Sequence, residues 1–222
     1  MNELLTKLSA CIEFGKVNEA APYPPQMKGQ PGALEITKEL IETGMTADEI
    51  LNTALIDGMN KVGVKFRDGQ VFVPQVLMSA KAMNTAMELL EPLMAQQETK
   101  SKGTFIIGTV KGDLHDIGKN LVAMMVKGNG YNVVDLGTDV GSDKFIEAIN
   151  ENPGAYVGLS ALLTTTMINM QGISDEIKAV HPNTKVLIGG APVTQEFCDK
   201  TSADAYNDGP QGVVDYLNAA TA

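Results

Sequence analysis

The stretch TFIIGTVKGDLHDIGKN, Thr104 to Asn120, holds a strand and the loop on which a site would be built. Thr104 to Val110 is a short apolar run of the length and composition of a strand buried on both faces. Polar residues and Gly112 end the run, and from Asp116 to Lys127 the apolar residues recur at helical spacing. Strand, polar loop and helix in this order open a βαβ unit.

Toward the C terminus the alternation repeats. Asn132 to Leu136, Tyr156 to Leu162 and Lys185 to Ile188 read as buried strands, with Ala203 to Tyr206 a weaker fifth. Helices fit at Ser142 to Asn150, Thr166 to Val180, Thr194 to Thr201 and Gln211 to Ala219. Such alternation predicts a flavodoxin-like (Rossmann-like) α/β domain with a five-stranded parallel sheet covered on both faces. Ligands of these sheets bind beyond the carboxyl ends of the strands, near a topological switch point.

Toward the N terminus the period is helical throughout. Leu4, Leu5 and Leu8 mark one segment, followed by Leu34 to Thr43, Ala47 to Val62 and Pro74 to Leu93. Thr46 with Glu49 resembles a capping box, and Pro74 suits a first helical turn. Ala21 to Gly32, with four prolines and two glycines, reads as a loop, and Arg67 to Gly69 as a turn. The polar QQETKSK, residues 96–102, reads as a linker. The expected organisation is therefore a helical bundle at 1–98 and an α/β domain at 99–222. Met78, Met83, Met87 and Met94 follow helical spacing and are read as core packing.

Composition removes several functions. The 222 residues carry a formal charge of −10 with no cluster of Lys or Arg, so nucleic acid is not an expected partner. No apolar run approaches the roughly 20 residues of a membrane helix, and the first residues lack a basic head, so a cytoplasmic protein without membrane association is expected. Cys11 and Cys198 stand far apart, which argues against a disulfide framework and against zinc. With His115 and His181 the only histidines, any metal should arrive inside a cofactor.

The loop after Val110 contains a D-x-H-x-x-G motif formed by Asp113, His115 and Gly118. Residues two apart in an extended loop share a side, so the carboxylate can accept a proton from one imidazole nitrogen and leave the other free for a metal. Such a carboxylate fixes the tautomer and raises ligand basicity. A lone loop histidine is ordinarily just solvated, and three residues decide little. Two further features lie at the same sheet edge: Ser160-Ala161-Leu162 ends the third strand and Gly189-Gly190 ends the fourth. Forty-one residues separate Gly118 from Ser160, and twenty-six separate Leu162 from Gly189.

At these spacings the sequence resembles the methionine synthase-like cobalamin-binding domains and the methyltransferase corrinoid proteins, whose signature is DxHxxG, SxL and GG. The resemblance implies cobalamin or a related corrinoid, its own benzimidazole displaced from cobalt and His115 as the cobalt axial ligand. It implies cofactor contacts from Gly112, Asp113, Leu114, His115, Asp116, Ile117 and Gly118, from Ser160, Leu162 and Thr164, and from Gly189 and Gly190. Methionine synthase-like members complete a His, Asp, Ser relay with a serine six positions after the SxL serine. Here that position holds Thr166, a departure whose hydroxyl can still bond Asp113.

The first half is similar to the helical cap of the same family, most clearly in VGVKFRDGQVFVPQVLMSAKAM, residues 62–83. By that resemblance Phe66, Val73 and Val76 shield the cobalt-bound methyl of a methylcobalamin form. The implied function is to carry methyl between a substrate-specific methyltransferase and a second methyltransferase, which delivers it to an acceptor such as tetrahydrofolate or a thiol. Asp113, His115 and Thr166 would be the catalytic group, with Asp113 buffering the proton change on ligand release. A reductive activator is the further implied partner. Beside these domains the chain has no room for a (β/α)₈ barrel of roughly 250 residues, so donor and acceptor sites are expected on other proteins. Alternatives are an adenosylcobalamin-dependent mutase subunit, which has no need of the cap, a cobalamin-dependent regulator, which needs a DNA-binding module, and a flavodoxin-like domain without cofactor.

Overall fold

The computed structural model describes residues 3–96 and 101–221, and its fold follows from where the two periodicities place their apolar side chains. In the first half, α1 (Glu3–Phe14) buries Leu5, Leu8 and Ile12, a stripe at helical spacing. Helix α2 (Ala33–Glu42) does the same with Ala33, Ile36 and Leu40. Helix α3 (Ala47–Ile50) starts at Thr46, whose hydroxyl accepts the backbone N–H of Glu49 at 3.2 Å. It passes through a π-helical turn, Leu51–Leu55, into α4 (Ile56–Arg67). Helix α5 (Val73–Gln96) carries Pro74 in its first turn, where an absent N–H costs nothing, and Pro92 near its end. Met83 is buried and Met78, Met87 and Met94 are half-buried, as packing residues should be.

The proline-rich loop between α1 and α2 contains one short 3₁₀ turn, Pro25–Met27. Lys16 is fully buried beneath it, and its ammonium donates to the carbonyls of Ala21 at 2.8 Å and Glu19 at 3.4 Å. Burying a cation is costly unless it is hydrogen-bonded, and these carbonyls supply that need while tying the loop to the end of α1.

The second half alternates strand and helix: β1 (Thr104–Thr109), α6 (Ile117–Gly128), β2 (Asn132–Asp135), α7 (Ser142–Glu151), β3 (Tyr156–Ser160), α8 (Thr164–Met167), α9 (Asn169–Val180), β4 (Val186–Gly189), α10 (Gln195–Cys198), β5 (Ala205–Tyr206) and α11 (Pro210–Thr221). All pairs are parallel, in the order β2-β1-β3-β4-β5. The order in which successive strands are added reverses between β1 and β3, the switch point of a flavodoxin-like sheet. Register places Thr109, Ser160 and Gly189 in one row across the carboxyl ends. Beneath that row Ile106, Val157, Leu159 and Ile188 pack with Phe145, Met170 and Ile177 into one core.

The chain folds as two compact units, Met1–Lys100 with Gly128–Gly130, and Ser101–Lys127 with Tyr131–Ala222. Residues 97–100 of the expected linker, and with them the expected boundary between 98 and 99, lie outside the described residues. Three helical and strand expectations are modified. The helix expected at Thr166 begins at Thr164 and is interrupted at Ile168; a run of three threonines is a poor helix former, and Thr166 and Asn169 spend their side chains on the loop after β1. The fifth strand keeps only two residues, and the helix expected at Thr194 to Thr201 only four, with the Thr194 hydroxyl capping it. Among the described residues no helix is long and apolar enough to cross a membrane, and Cys11 and Cys198 are buried free thiols.

Candidate functional site

The polypeptide leaves β1 at Thr109 and turns at once. Asp113 N–H closes a tight turn on the carbonyl of Val110 at 3.1 Å, with Gly112 at φ +85°, a conformation L side chains rarely adopt. The turn brings Asp113 under the switch point, where its side chain is fully buried. A buried carboxylate is tolerable only if saturated with donors, and this one is. One oxygen accepts the His115 backbone N–H at 3.1 Å and lies 2.7 Å from His115 Nδ1. The other accepts the Thr166 hydroxyl at 2.6 Å and the backbone N–H groups of Leu162 at 2.8 Å and Leu163 at 3.3 Å.

Burial alone would push the Asp113 carboxyl up, but the bonds from Thr166, Leu162 and His115 outweigh it and hold the group far below the usual carboxylate range. Against this carboxylate Nδ1 is placed to donate, and Nε2 is the ring nitrogen left outside the pair. The His115 side chain is 51 % exposed while Asp113 is 0 % exposed, so one face of the pair is sealed and the other open. Thr109, fully buried, donates its hydroxyl to the His115 carbonyl at 2.8 Å and fixes the backbone from below.

The depressed Asp113 carboxyl makes the stability of the fold depend on pH. It stabilises the folded state above the unfolded value of about 4, and that contribution is lost as pH falls through the folded value. Asp113→Asn is expected to lose about 2–3 kcal/mol at neutral pH, because a donor amide then faces donors, and to show a shallower acid limb than wild type. Urea melts from pH 7 down to pH 3 check both; parallel acid limbs would remove Asp113 from the account.

The remaining expected residues lie at the ends of the strands, in the loops beyond them and in the helical unit. Asp116 precedes α6 and accepts from Asn120 through its carbonyl, at 2.7 Å, and its side chain, at 3.1 Å. Leu114 and Ile117 flank His115 and are 74 % and 70 % exposed; Leu162, Leu163 and Ile168 are exposed beyond β3. Exposed large apolar side chains in the loops after β1 and β3 suit a bulky ligand with an apolar face. Ser160 is half-buried at the end of β3 and Thr164 exposed at the start of α8, and among the described residues neither hydroxyl has a hydrogen-bond partner. Gly118 has open space where a Cβ would stand, whereas at Gly189 a Cβ would lie 2.9 Å from the Asn207 carbonyl oxygen and at Gly190 1.9 Å from that of Ala161. Phe66 and Val73 are half-buried and Val76 fully buried in the helical unit.

Sequence reasoning passed over Thr109, Asp139, Leu163 and Asn169. Asp139, in the loop after β2, accepts the Gly112 N–H at 2.8 Å; Asn169 donates to the Lys111 carbonyl at 2.7 Å. Their one visible signal is position, since both follow strands at the ligand edge. Among the described residues no group of three or more His, Cys, Asp or Glu could hold a bare metal ion. A cleft at the opposite, amino edge is lined by Tyr156, His181 and Lys185 and contains none of the motif residues. The chemistry is concentrated at the carboxyl edge.

Comparison with known proteins finds likenesses to both halves of the chain. Two family models described as B12 binding domain match, one at residues 103–210 and one at 30–91. The chain is 41 % identical over 191 residues to trimethylamine corrinoid protein 1 of Methanosarcina acetivorans, covering 84 % of this chain and 88 % of that one. It is 42 % identical over 207 residues to dimethylamine corrinoid protein 1 of the same organism, covering 92 % and 91 %. Among solved structures, the methanol:cobalamin methyltransferase complex MtaBC from Methanosarcina barkeri matches with TM-score 0.79 and 28 % identity over 99 % of this chain and 80 % of that one. A cobalamin-binding protein from Desulfitobacterium hafniense matches with TM-score 0.71 and 31 % identity, covering 83 % and 89 %.

Proposed function

Because the chain belongs to the corrinoid proteins built from these two B12 binding domains, we propose that it carries a methyl group between two methyltransferases, one specific for the donor and one for the acceptor. The observation that carries this reading is the His115–Asp113 pair, with Nδ1 held at 2.7 Å by a buried carboxylate and Nε2 left for a ligand among exposed apolar side chains. The bound corrinoid supplies a cobalt that accepts a methyl group from a donor and yields it to a nucleophile.

Each residue then has a task. His115 binds cobalt through Nε2, Asp113 holds the imidazole tautomer and direction, and Thr166 anchors Asp113. Gly118, Ser160, Leu162, Thr164, Gly189 and Gly190 receive the nucleotide tail, with Gly112, Leu114, Asp116 and Ile117 framing the entrance. Phe66, Val73 and Val76 shield the transferred methyl from water. Residues 1–98 act as the cap and 99–222 as the corrinoid domain, in a cytoplasmic protein served by a reductive activator.

The nearly equal identity to relatives named for trimethylamine, 41 %, and dimethylamine, 42 %, suits a carrier whose donor is chosen by its partner. Corrinoid-loaded, reduced protein should therefore acquire the spectrum of the methylated form only when both a cognate methyltransferase and its donor are added. It should lose that spectrum when a second methyltransferase and tetrahydrofolate or a thiol follow. Failure across cognate partners supplied with methylamines or methanol would overturn the carrier role.

A further inference from the structure

Among the described residues Asp139 is the one non-glycine with positive φ, at 58°. Left-handed backbone is uncommon outside glycine, and although Asp visits it more readily than most residues, here it is held by its surroundings. Those surroundings all lead to the turn beneath His115. The Asp139 carboxylate accepts the Gly112 N–H at 2.8 Å, and its own backbone N–H donates to the Asp113 carbonyl at 3.0 Å. On either side, Thr109 N–H donates to the Gly137 carbonyl and Val140 N–H to the Thr109 carbonyl, both at 2.9 Å. The loop after β2 thus runs alongside the turn after β1 and grips it at 109, 112 and 113.

We propose that Asp139 is a positioning residue for His115, its side chain and backbone together fixing the Gly112–Asp113 turn from which the imidazole is aimed. The inference rests on the reading of His115 as the cobalt ligand. The ion pair with Lys111, at 3.2 Å, is not the source of the effect: Lys111 and Asp139 side chains are 65 % and 44 % exposed, and such surface pairs are weak. What matters is the Gly112 amide. A glycine at the third position of a tight turn presents its N–H outward, and Asp139 gives it a charged acceptor. On the other flank Asn169 holds the Lys111 carbonyl, so loss of Asp139 frees one side of the turn.

Three variants separate these causes. Asp139→Gly removes the carboxylate and the backbone strain together, so the thermal midpoint should stay near wild type. Amide exchange at Gly112 in the cofactor-free protein should nevertheless accelerate roughly 10-fold or more, and affinity for hydroxocobalamin should fall by about the same factor. The histidine-ligated fraction at saturating corrinoid should fall with them. Asp139→Asn keeps a side-chain acceptor for Gly112 and should restore most of both, and Lys111→Met should change each by less than about 2-fold. Unchanged Gly112 exchange or an unchanged histidine-ligated fraction in Asp139→Gly would overturn the positioning role. His115→Ala run in parallel isolates the underlying reading: if its spectrum equals wild type, His115 is not the ligand and the failure belongs there.

Discussion

His115→Ala should yield a folded protein whose bound corrinoid has lost the histidine-ligated spectrum. The fold survives because Asp113 keeps four of its donors: the Thr166 hydroxyl and the backbone N–H groups of residues 115, 162 and 163. One charge-assisted hydrogen bond is lost from a side chain that is 51 % exposed, a change of about 1–2 kcal/mol in unfolding free energy. The functional loss should be far larger, since the described residues near the motif offer no second imidazole; His181 lies at the opposite edge of the sheet. Visible spectra of wild type and variant, loaded with the same methylated corrinoid, make the comparison. A histidine-ligated spectrum in the variant would assign the lower ligand elsewhere. Adding imidazole to the variant should return part of the lost spectrum, which a misfolded protein would not do.

Gly190→Ala should be the most damaging single change to the α/β unit itself. A Cβ there would stand 1.9 Å from the Ala161 carbonyl oxygen, at φ +130°, so both sterics and backbone conformation oppose it. The clash sits where the end of β4 is hydrogen-bonded to the residue after β3, through Ala161 N–H and the Gly189 carbonyl at 3.3 Å. Relief requires the two strand ends to part, and a loss on the order of 3 kcal/mol is expected. At roughly 2–4 °C per kcal/mol for chains of this size, the midpoint should drop by about 6–12 °C. Gly118→Ala is the counterpart. Its Cβ would meet nothing within 4 Å, so the cofactor-free protein should keep its stability while corrinoid affinity falls if the nucleotide tail passes there. Thermal melts with and without hydroxocobalamin distinguish the two glycines; equal midpoints for wild type and Gly190→Ala would contradict the steric account.

Much of this architecture is legible in the amino acids. Buried parallel strands must be apolar on both faces, so TFIIGT, YVGLS and VLIG stand out between helical periods. Their carboxyl ends and the loops beyond hold DLH, SAL and GG because ligand-facing backbone collects at that edge. The rest depends on tertiary contact. Thr109 looks like the last residue of a β-branched run, and only burial of its hydroxyl against the His115 carbonyl gives it a site role. Asp139 and Asn169 are ordinary polar residues in the chain, distinguished by neighbours 27 and 58 positions away. Lys16, in the sequence one cation among many, lies fully inside because two loop carbonyls point at it. Helix interruptions at Ile168 and in the π turn at Leu51–Leu55 likewise reflect packing that no local pattern encodes.

The enclosure of Asp113 constrains how the His115 ring can move. Five donors from residues 115, 162, 163 and 166 converge on its two oxygens, so the carboxylate cannot follow the imidazole outward without leaving buried donors unpaired. Any displacement of the imidazole is therefore a pivot about the Nδ1 contact, with the Nε2 edge sweeping the exposed side.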